Sequence, residues 1–345
     1  MSVSVGVGVR GAGVVCSMGS SAAAVLAALD VAAHTVATQR SVGTPRAAGF
    51  QPGDLPGGIG RRLGRQPALA LAAILDALGG RTVAADTALV LGTAFGATAE
   101  TAEFIRGFAL HGAAVSSPLL FSNSLHNTMA GVAGRTLGTR GPAIVVCNGT
   151  ATFESALLVA TAMIRNGRVE RVIVAASDAL DAVADLGMRR VGLLPEVRAD
   201  DDRAAGAPFR GFAAGEGAGA LLLEACAPDA PGVGLANVAL GAACSVQAGD
   251  VESVQWLATG GSRSIESHRA AWERLAGDRV AGWPTASMPA GHFGTFASLS
   301  AVAIAVEAAR RLRQAEPPRG RAVFLQVPYG APQATVVLTG HGLGE

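Results

Sequence analysis

Lysine is missing altogether: none of the 345 residues is a lysine, so all 27 basic side chains are arginines. That excludes a Schiff-base amine and a phosphate-loop ammonium from the available chemistry. Charge is sparse too, at 15% of residues with a net of +1, and no basic run or basic–aromatic interleaving occurs. The electrostatic footprint of a nucleic-acid partner is therefore absent. No apolar run reaches the ~20 residues that a membrane span needs. The start, Met1-Ser-Val-Ser-Val, lacks a basic n-region and an apolar h-region. This points away from a secretion signal and toward a cytoplasmic protein. Cys16, Cys147, Cys226 and Cys244 are scattered, with no C-x-x-C pair. Buried free thiols in a reducing compartment are the simplest reading, and no metal is expected.

What is present is apolar: half the chain, enough for one large core or two fused ones. Strands are expected at 2–9, 87–92, 143–147, 171–176, 217–224, 234–241, 322–327 and 334–339. Helices are expected at 20–33, 65–78, 96–108, 123–137, 152–165 and 292–313. The alternation implies an α/β fold with buried, largely parallel sheets. The helices at 152–165 and 294–309 are apolar nearly all round, so each should be enclosed. Two enclosed helices between sheets suggest a five-layer sandwich of two similar halves, 1–225 and 226–345. The halves would meet where A-C-A-P-D-A-P-G at 225–232 breaks the pattern.

The most informative stretch is G-P-A-I-V-V-C-N-G-T-A-T-F-E-S at 141–155: a buried strand, a sharp turn and the first turn of a helix. Three more segments accompany it. They are P-L-L-F-S-N-S-L-H-N-T-M-A-G at 118–131, G-F-A-A-G-E-G-A-G at 211–219 and A-G-H-F-G at 290–294. In order and spacing the four resemble the β-ketoacyl-ACP synthase family. The third matches its G-F-x-x-G-E-G-A-G motif, and the fourth its K-S-x-x-G-H motif. The resemblance implies the thiolase fold, an αβαβα sandwich.

The same resemblance implies a departure at the catalytic positions. Active members carry a cysteine at the elbow, two histidines and a lysine. Here the cysteine position falls on Thr150, the first histidine on Thr259 and the lysine on Ser287, while His292 is retained. The glycine-rich end motif becomes V-P-Y-G-A-P-Q at 327–333, with Tyr329 at the gating phenylalanine. Condensation needs a thiolate to accept the acyl chain, and two imidazoles to hold the enolate that decarboxylation generates. Losing these together implies a site given up. The chain is most like the chain-length factor, the ketosynthase β subunit of type II polyketide synthases. In aromatic-polyketide members that subunit usually carries glutamine at the elbow, where Thr150 stands here. The implied partners are a catalytic ketosynthase, in a heterodimer, and an acyl carrier protein with a phosphopantetheine-bound chain. The implied tunnel residues are Phe95, Thr98, Thr101, Ala102, Ile105, Leu120 and Tyr329.

Other readings stand beside this one. Cys147, three residues before the tip, is a possible nucleophile, although a strand-end cysteine is more simply a buried, inert one. A partial Thr150–His292 site would make the chain a divergent condensing or acyltransferring enzyme. A stand-alone acyl-binding module is a third option. Gly6-x-Gly8-x-x-Gly11 with Asp30 downstream has the spacing of a dinucleotide fingerprint. However, 11–19 reads as loop where a helix should begin, so no cofactor is expected.

Overall fold

A row of buried valines opens the described chain: strand β1, Gly6–Val15, buries Val7, Val9, Val14 and Val15 completely. The computed structural model describes residues 5–34, 46–47, 49–190, 215–240, 251–257, 299–316, 319–326 and 334–341. The strand runs six residues further than the expected 2–9, through the stretch read as loop. Its glycines explain the misreading. A Cβ on Gly11 or Gly13 would stand 2.1 Å from the carbonyl oxygen of Ala77 or Ala73. The last glycine of the apparent dinucleotide fingerprint, with Gly13, thus keeps a strand face bare so that a helix backbone can lie on it.

That helix is α2, Arg65–Leu78, which follows α1, Ala22–His34. Gly79, left-handed at φ +55°, ends α2 and donates its N–H to the Leu75 and Asp76 carbonyls. Then come β2 (Ala88–Gly92), α3 (Thr98–His111), α4 (Pro118–Ser124), α5 (Thr128–Leu137), β3 (Ala143–Val146), α6 (Thr152–Arg165), β4 (Arg171–Asp178) and α7 (Ala182–Arg190). The rest comprises β5 (Gly217–Cys226), β6 (Pro231–Leu240), β7 (Val251–Leu257), α8 (Leu299–Leu312), β8 (Arg321–Gln326) and β9 (Ala334–His341). The single helix expected at 123–137 is two, because Leu125 is extended. There the Thr128 hydroxyl donates to the Ser122 carbonyl, and Asn123 Nδ2 donates to the Arg62 carbonyl at 3.0 Å. Helix α7 and strand β7 were not foreseen.

The strands form one nine-stranded sheet in the order β3-β2-β4-β5-β1-β6-β9-β8-β7. Pairing across its middle is thin, a single residue pair, Gly8 with Gly234. The sheet is mixed, not largely parallel as expected. β2 pairs parallel with β3 and β4, and β7 with β8, while β1, β5, β6 and β9 pair antiparallel. β5 and β6, joined by a short turn in which the Ala230 N–H donates to the Ala227 carbonyl, do not pair with each other; each pairs antiparallel with β1 between them.

Alternate residues of each strand enter two different cores. On one face of β1–β5, Ile173, Ala175, Leu89 and Leu91 meet Leu69 and Ile74 of α2 and Met129 and Val132 of α5. On the other face, Val172, Val174 and Leu221 meet Phe153, Leu157 and Ile164 of α6 and Val302 and Ile304 of α8. The same core continues into Phe324, Val336 and Leu338 of β8 and β9. Four layers of the sandwich are thus present among the described residues. Helix α8 is buried at every position from Leu299 to Ala309, as its uniform apolarity predicts. Helix α6 is enclosed except along one stripe, where Leu158 is 37% exposed and Ala162 is exposed.

Candidate functional site

The elbow sits at the edge of the sheet. Among the described residues β3 pairs on one side only, with β2. Past Val146 the chain turns through Cys147, Asn148 and Gly149, where Gly149 takes φ +51°. A short 3-10 turn, Gly149–Ala151, then leads into α6. Three side chains lock the turn. Thr152 Oγ1 donates to the Gly149 carbonyl at 2.7 Å and accepts from the Asn148 N–H at 2.9 Å. Asn148 Nδ2 donates to Ser155 Oγ at 2.8 Å. Thr150 is held half-buried at the tip. A hydroxyl there is far less acidic than a thiol and needs a strong base to attack an acyl group. Two histidine side chains are described, His111 at the end of α3 and His126, whose ring lies against Gly96.

Cys147 corrects the expectation of a buried thiol. It is exposed, and its Sγ donates to the Ala94 carbonyl at 3.4 Å. The cause is its place in the turn just past β3, an edge strand with no neighbour on its outer side among the described residues. Cys16 is buried as expected, with its thiol pushed up to about 11 by desolvation, and Cys226 is intermediate.

Of the described residues assigned to a tunnel, all but Leu120 of α4 lie on or before α3, which a buried aspartate positions. Asp178 accepts from Thr93 Oγ1 at 2.9 Å and from the Ala94 and Phe95 N–H groups at 3.0 and 3.2 Å. This pins the turn from β2 toward α3. Thr98 donates its hydroxyl to Asp181, so its polar end is committed to the start of α7. Thr101 donates to the Ala97 carbonyl at 2.8 Å and reaches the Ser124 carbonyl at 3.4 Å. It is turned toward α4. Ala102 and Leu120 are half-buried. Phe95 and Ile105 are open, at 38% and 58% exposure.

No residue of α3 is buried, yet the helix is not polar. Ile105, Phe108 and Leu110 are exposed, as are Phe121 on α4, Ile144 on β3 and Leu158 on α6. Phe104 packs on Phe121, ring centroids 5.5 Å apart, tying α3 to α4. Exposed apolar side chains thus occur on α3, α4, β3 and α6, and β3 has no strand on its outer side among the described residues.

The glutamate of G-E-G-A-G has a structural role that motif reading missed. Glu216 is fully buried and takes a bidentate grip from Arg65, with Nη2 at 2.5 Å and Nε at 2.9 and 3.0 Å. It also accepts the N–H groups of Ala47 and Leu180 at 2.9 and 3.1 Å. Arg65 opens α2, and Leu180 follows β4, so one carboxylate ties together three segments distant in sequence. Arginine at 65, 151 residues away, gives no sequence signal of this pairing.

Thr259, Ser287, His292 and Tyr329 lie outside the described residues. Among the described residues no group of three His, Cys, Asp or Glu side chains could hold a metal. Nor is any described helix long and apolar enough to cross a membrane.

Comparison with known proteins agrees with this geometry. Residues 60–227 match the family "Beta-ketoacyl synthase, N-terminal domain". No curated protein sequence matches the chain. Among solved structures, the ishigamide ketosynthase/chain length factor superposes with a TM-score of 0.74 at 22% identity, covering 98% of this chain and 100% of that one. A ketosynthase in complex with its chain length factor from Xenorhabdus doucetiae gives 0.71 at 14% identity, covering 97% and 98%. A β-ketoacyl synthase from Burkholderia phymatum STM815 gives 0.71 at 17% identity, covering 97% and 99%. The family match includes the elbow and most of the strands beside it, and the fold is that of thiolase-like synthases over nearly the whole length. The stretch 60–227 is thus similar to the N-terminal domain of the β-ketoacyl synthase family.

Proposed function

We propose that this chain is a noncatalytic chain-length-factor subunit of a type II polyketide synthase. In this reading residues 1–225 and 226–345 are its two thiolase-like halves. It pairs with an active ketosynthase, and together they receive an acyl chain carried on the phosphopantetheine of a carrier protein. The observation that carries the reading is the elbow with its surroundings. A hydroxyl, Thr150, occupies the tip where condensation needs a thiol, and the sheet edge and helix beside it are apolar and uncovered. The solved ketosynthase–chain length factor complexes of the same fold support it.

Exposure of Cys147 favours a second reading, an acyltransferring enzyme with its thiol displaced by three residues. One experiment separates the two. The chain, purified with a ketosynthase encoded beside it, is incubated with an acyl-carrier protein, and each subunit's intact mass is measured. The expected result is one acyl group on the ketosynthase and none on this chain. A stoichiometric adduct here, mapped to Cys147 or Thr150, overturns the noncatalytic reading.

The tunnel assignment is tested by product length. Ile105→Ala removes three carbons from the exposed side of α3. Each cycle adds two carbons, and burying a methylene is worth about 0.8 kcal/mol. That is enough to shift the product ratio severalfold toward one further extension, read by mass spectrometry from the reconstituted pair. Ile105→Trp should shorten the product. Thr101 is the poorer site for such a test, since its hydroxyl is committed between α3 and α4. Unchanged lengths in both Ile105 variants, with complexes intact, assign length control elsewhere.

A further inference from the structure

Glu154 stands in the first turn of α6, four residues beyond the elbow tip. It is buried in the middle layer of the sandwich, and neither of its carboxyl oxygens has a hydrogen-bond partner among the described residues. Across the contact between α6 and α8 stands Ser300, whose Oγ is also buried and without a hydrogen-bond partner among the described residues. A buried carboxylate without partners costs far more than a neutral acid in the same place. Burial raises Glu154 from an ordinary 4.5 to about 7; its own backbone and Ser300, close but outside hydrogen-bond geometry, offset only part of that. No charged group among the described residues acts on it. The ionic side chains of neighbouring elements are engaged elsewhere. Arg10 and Arg171 pair with Glu224, and Arg165 is exposed at the far end of α6. Asp178 holds the turn after β2. Glu307, Arg310 and Arg311 form their own network with Glu252 further along α8. Exposed Cys147 hydrogen-bonds to Ala94, and Cys226 ends β5.

We propose that Glu154 is a protonated latch between α6 and α8, and that its ionisation loosens the middle layer as pH rises through neutrality. The inference does not depend on the function proposed above. The sign follows from linkage. Below the unfolded value both states are protonated and the contact is at full strength. Between the unfolded and folded values the folded chain alone keeps its proton, so stability falls as pH rises. Above about 7 the loss is complete. It amounts to a change on the order of a hundredfold in the unfolding equilibrium constant.

The test is urea unfolding of the full chain, in the oligomeric form in which it purifies, from about pH 4 to 8.5, a span chosen to bracket the transition. Glu154→Gln and Glu154→Leu, which cannot ionise, are compared with wild type. The variants should lie near wild type at the acid end and be the more stable at the alkaline end. Parallel profiles across the range overturn the proposal. If neither variant folds, the wild-type chain decides by pH-difference infrared spectroscopy. A carboxylic-acid carbonyl band that vanishes with a midpoint near 7 supports the latch, and absence of such a band overturns it.

Discussion

Ile144→Asp is expected to abolish the stable complex with a ketosynthase while leaving this chain's own fold intact. Ile144 is 36% exposed on β3, and the outer side of that strand has no partner among the described residues. In the free chain an aspartate there stays solvated, so folding should change by no more than about 0.5 kcal/mol. In a complex that closes over β3 the same carboxylate is buried without a partner. That penalty is several kcal/mol, which weakens association on the order of a thousandfold. Phe108→Glu, half-exposed on α3, probes the same face from a second element. Co-purification and analytical ultracentrifugation read the outcome, and thermal unfolding of the free variants checks the fold. If both variants still co-purify with the ketosynthase, the contact lies on another face. Without its partner, wild type should associate with itself through this surface, and Ile144→Asp should reduce that as well.

How much of this was legible in the sequence depended on which residues carried local signals. The boundaries of α2 and α6 were read correctly. α2 ends at a left-handed glycine, and α6 begins at a turn locked by Asn148, Thr152 and Ser155. β1 was cut short because its glycines serve a helix 60 residues away, and glycine ordinarily signals a loop. The break between α4 and α5 has no glycine or proline to mark it and rests on tertiary hydrogen bonds. At the site, the elbow and its threonine were visible as a motif. The exposure of Cys147 was not, because an apolar strand at a sheet edge reads like one in the middle. Nothing local in the sequence marks Glu154 as enclosed or Glu216 as a junction, because the groups around them come from segments distant in sequence.

Glu216→Ala should be the most damaging single change in the described structure. The side chain is fully buried and satisfies Arg65 and two backbone N–H groups, those of Ala47 and Leu180. Alanine leaves both amides without that acceptor and leaves the Arg65 cation, 22% exposed, facing a void with only the Phe50 carbonyl, 3.4 Å from Nη1, still accepting from it. Breaking a buried pair from one side costs about 3–5 kcal/mol. Domains of ordinary stability hold about 5–15 kcal/mol in total, so little soluble protein is expected. Glu216→Gln keeps an acceptor for the amides and should lose less. Urea unfolding of whichever variants are soluble gives the numbers. A loss under about 1 kcal/mol for the alanine variant means the network is not what joins α2 to the sheet. The pH response provides an independent check. Burial alone would raise Glu216, but the hydrogen bonds from Arg65, Ala47 and Leu180 outweigh it and hold the carboxyl below its usual range. Its contribution is therefore present above the ordinary glutamate value and is lost as pH falls through the folded one. Glu154 has the opposite sign, losing its contribution as pH rises toward about 7. The two buried glutamates differ because one is met by a guanidinium and two amides, and the other, among the described residues, only by Ser300. Between them they confine maximum stability to a mildly acid window. Glu216→Gln should flatten its acid side and Glu154→Gln its alkaline side.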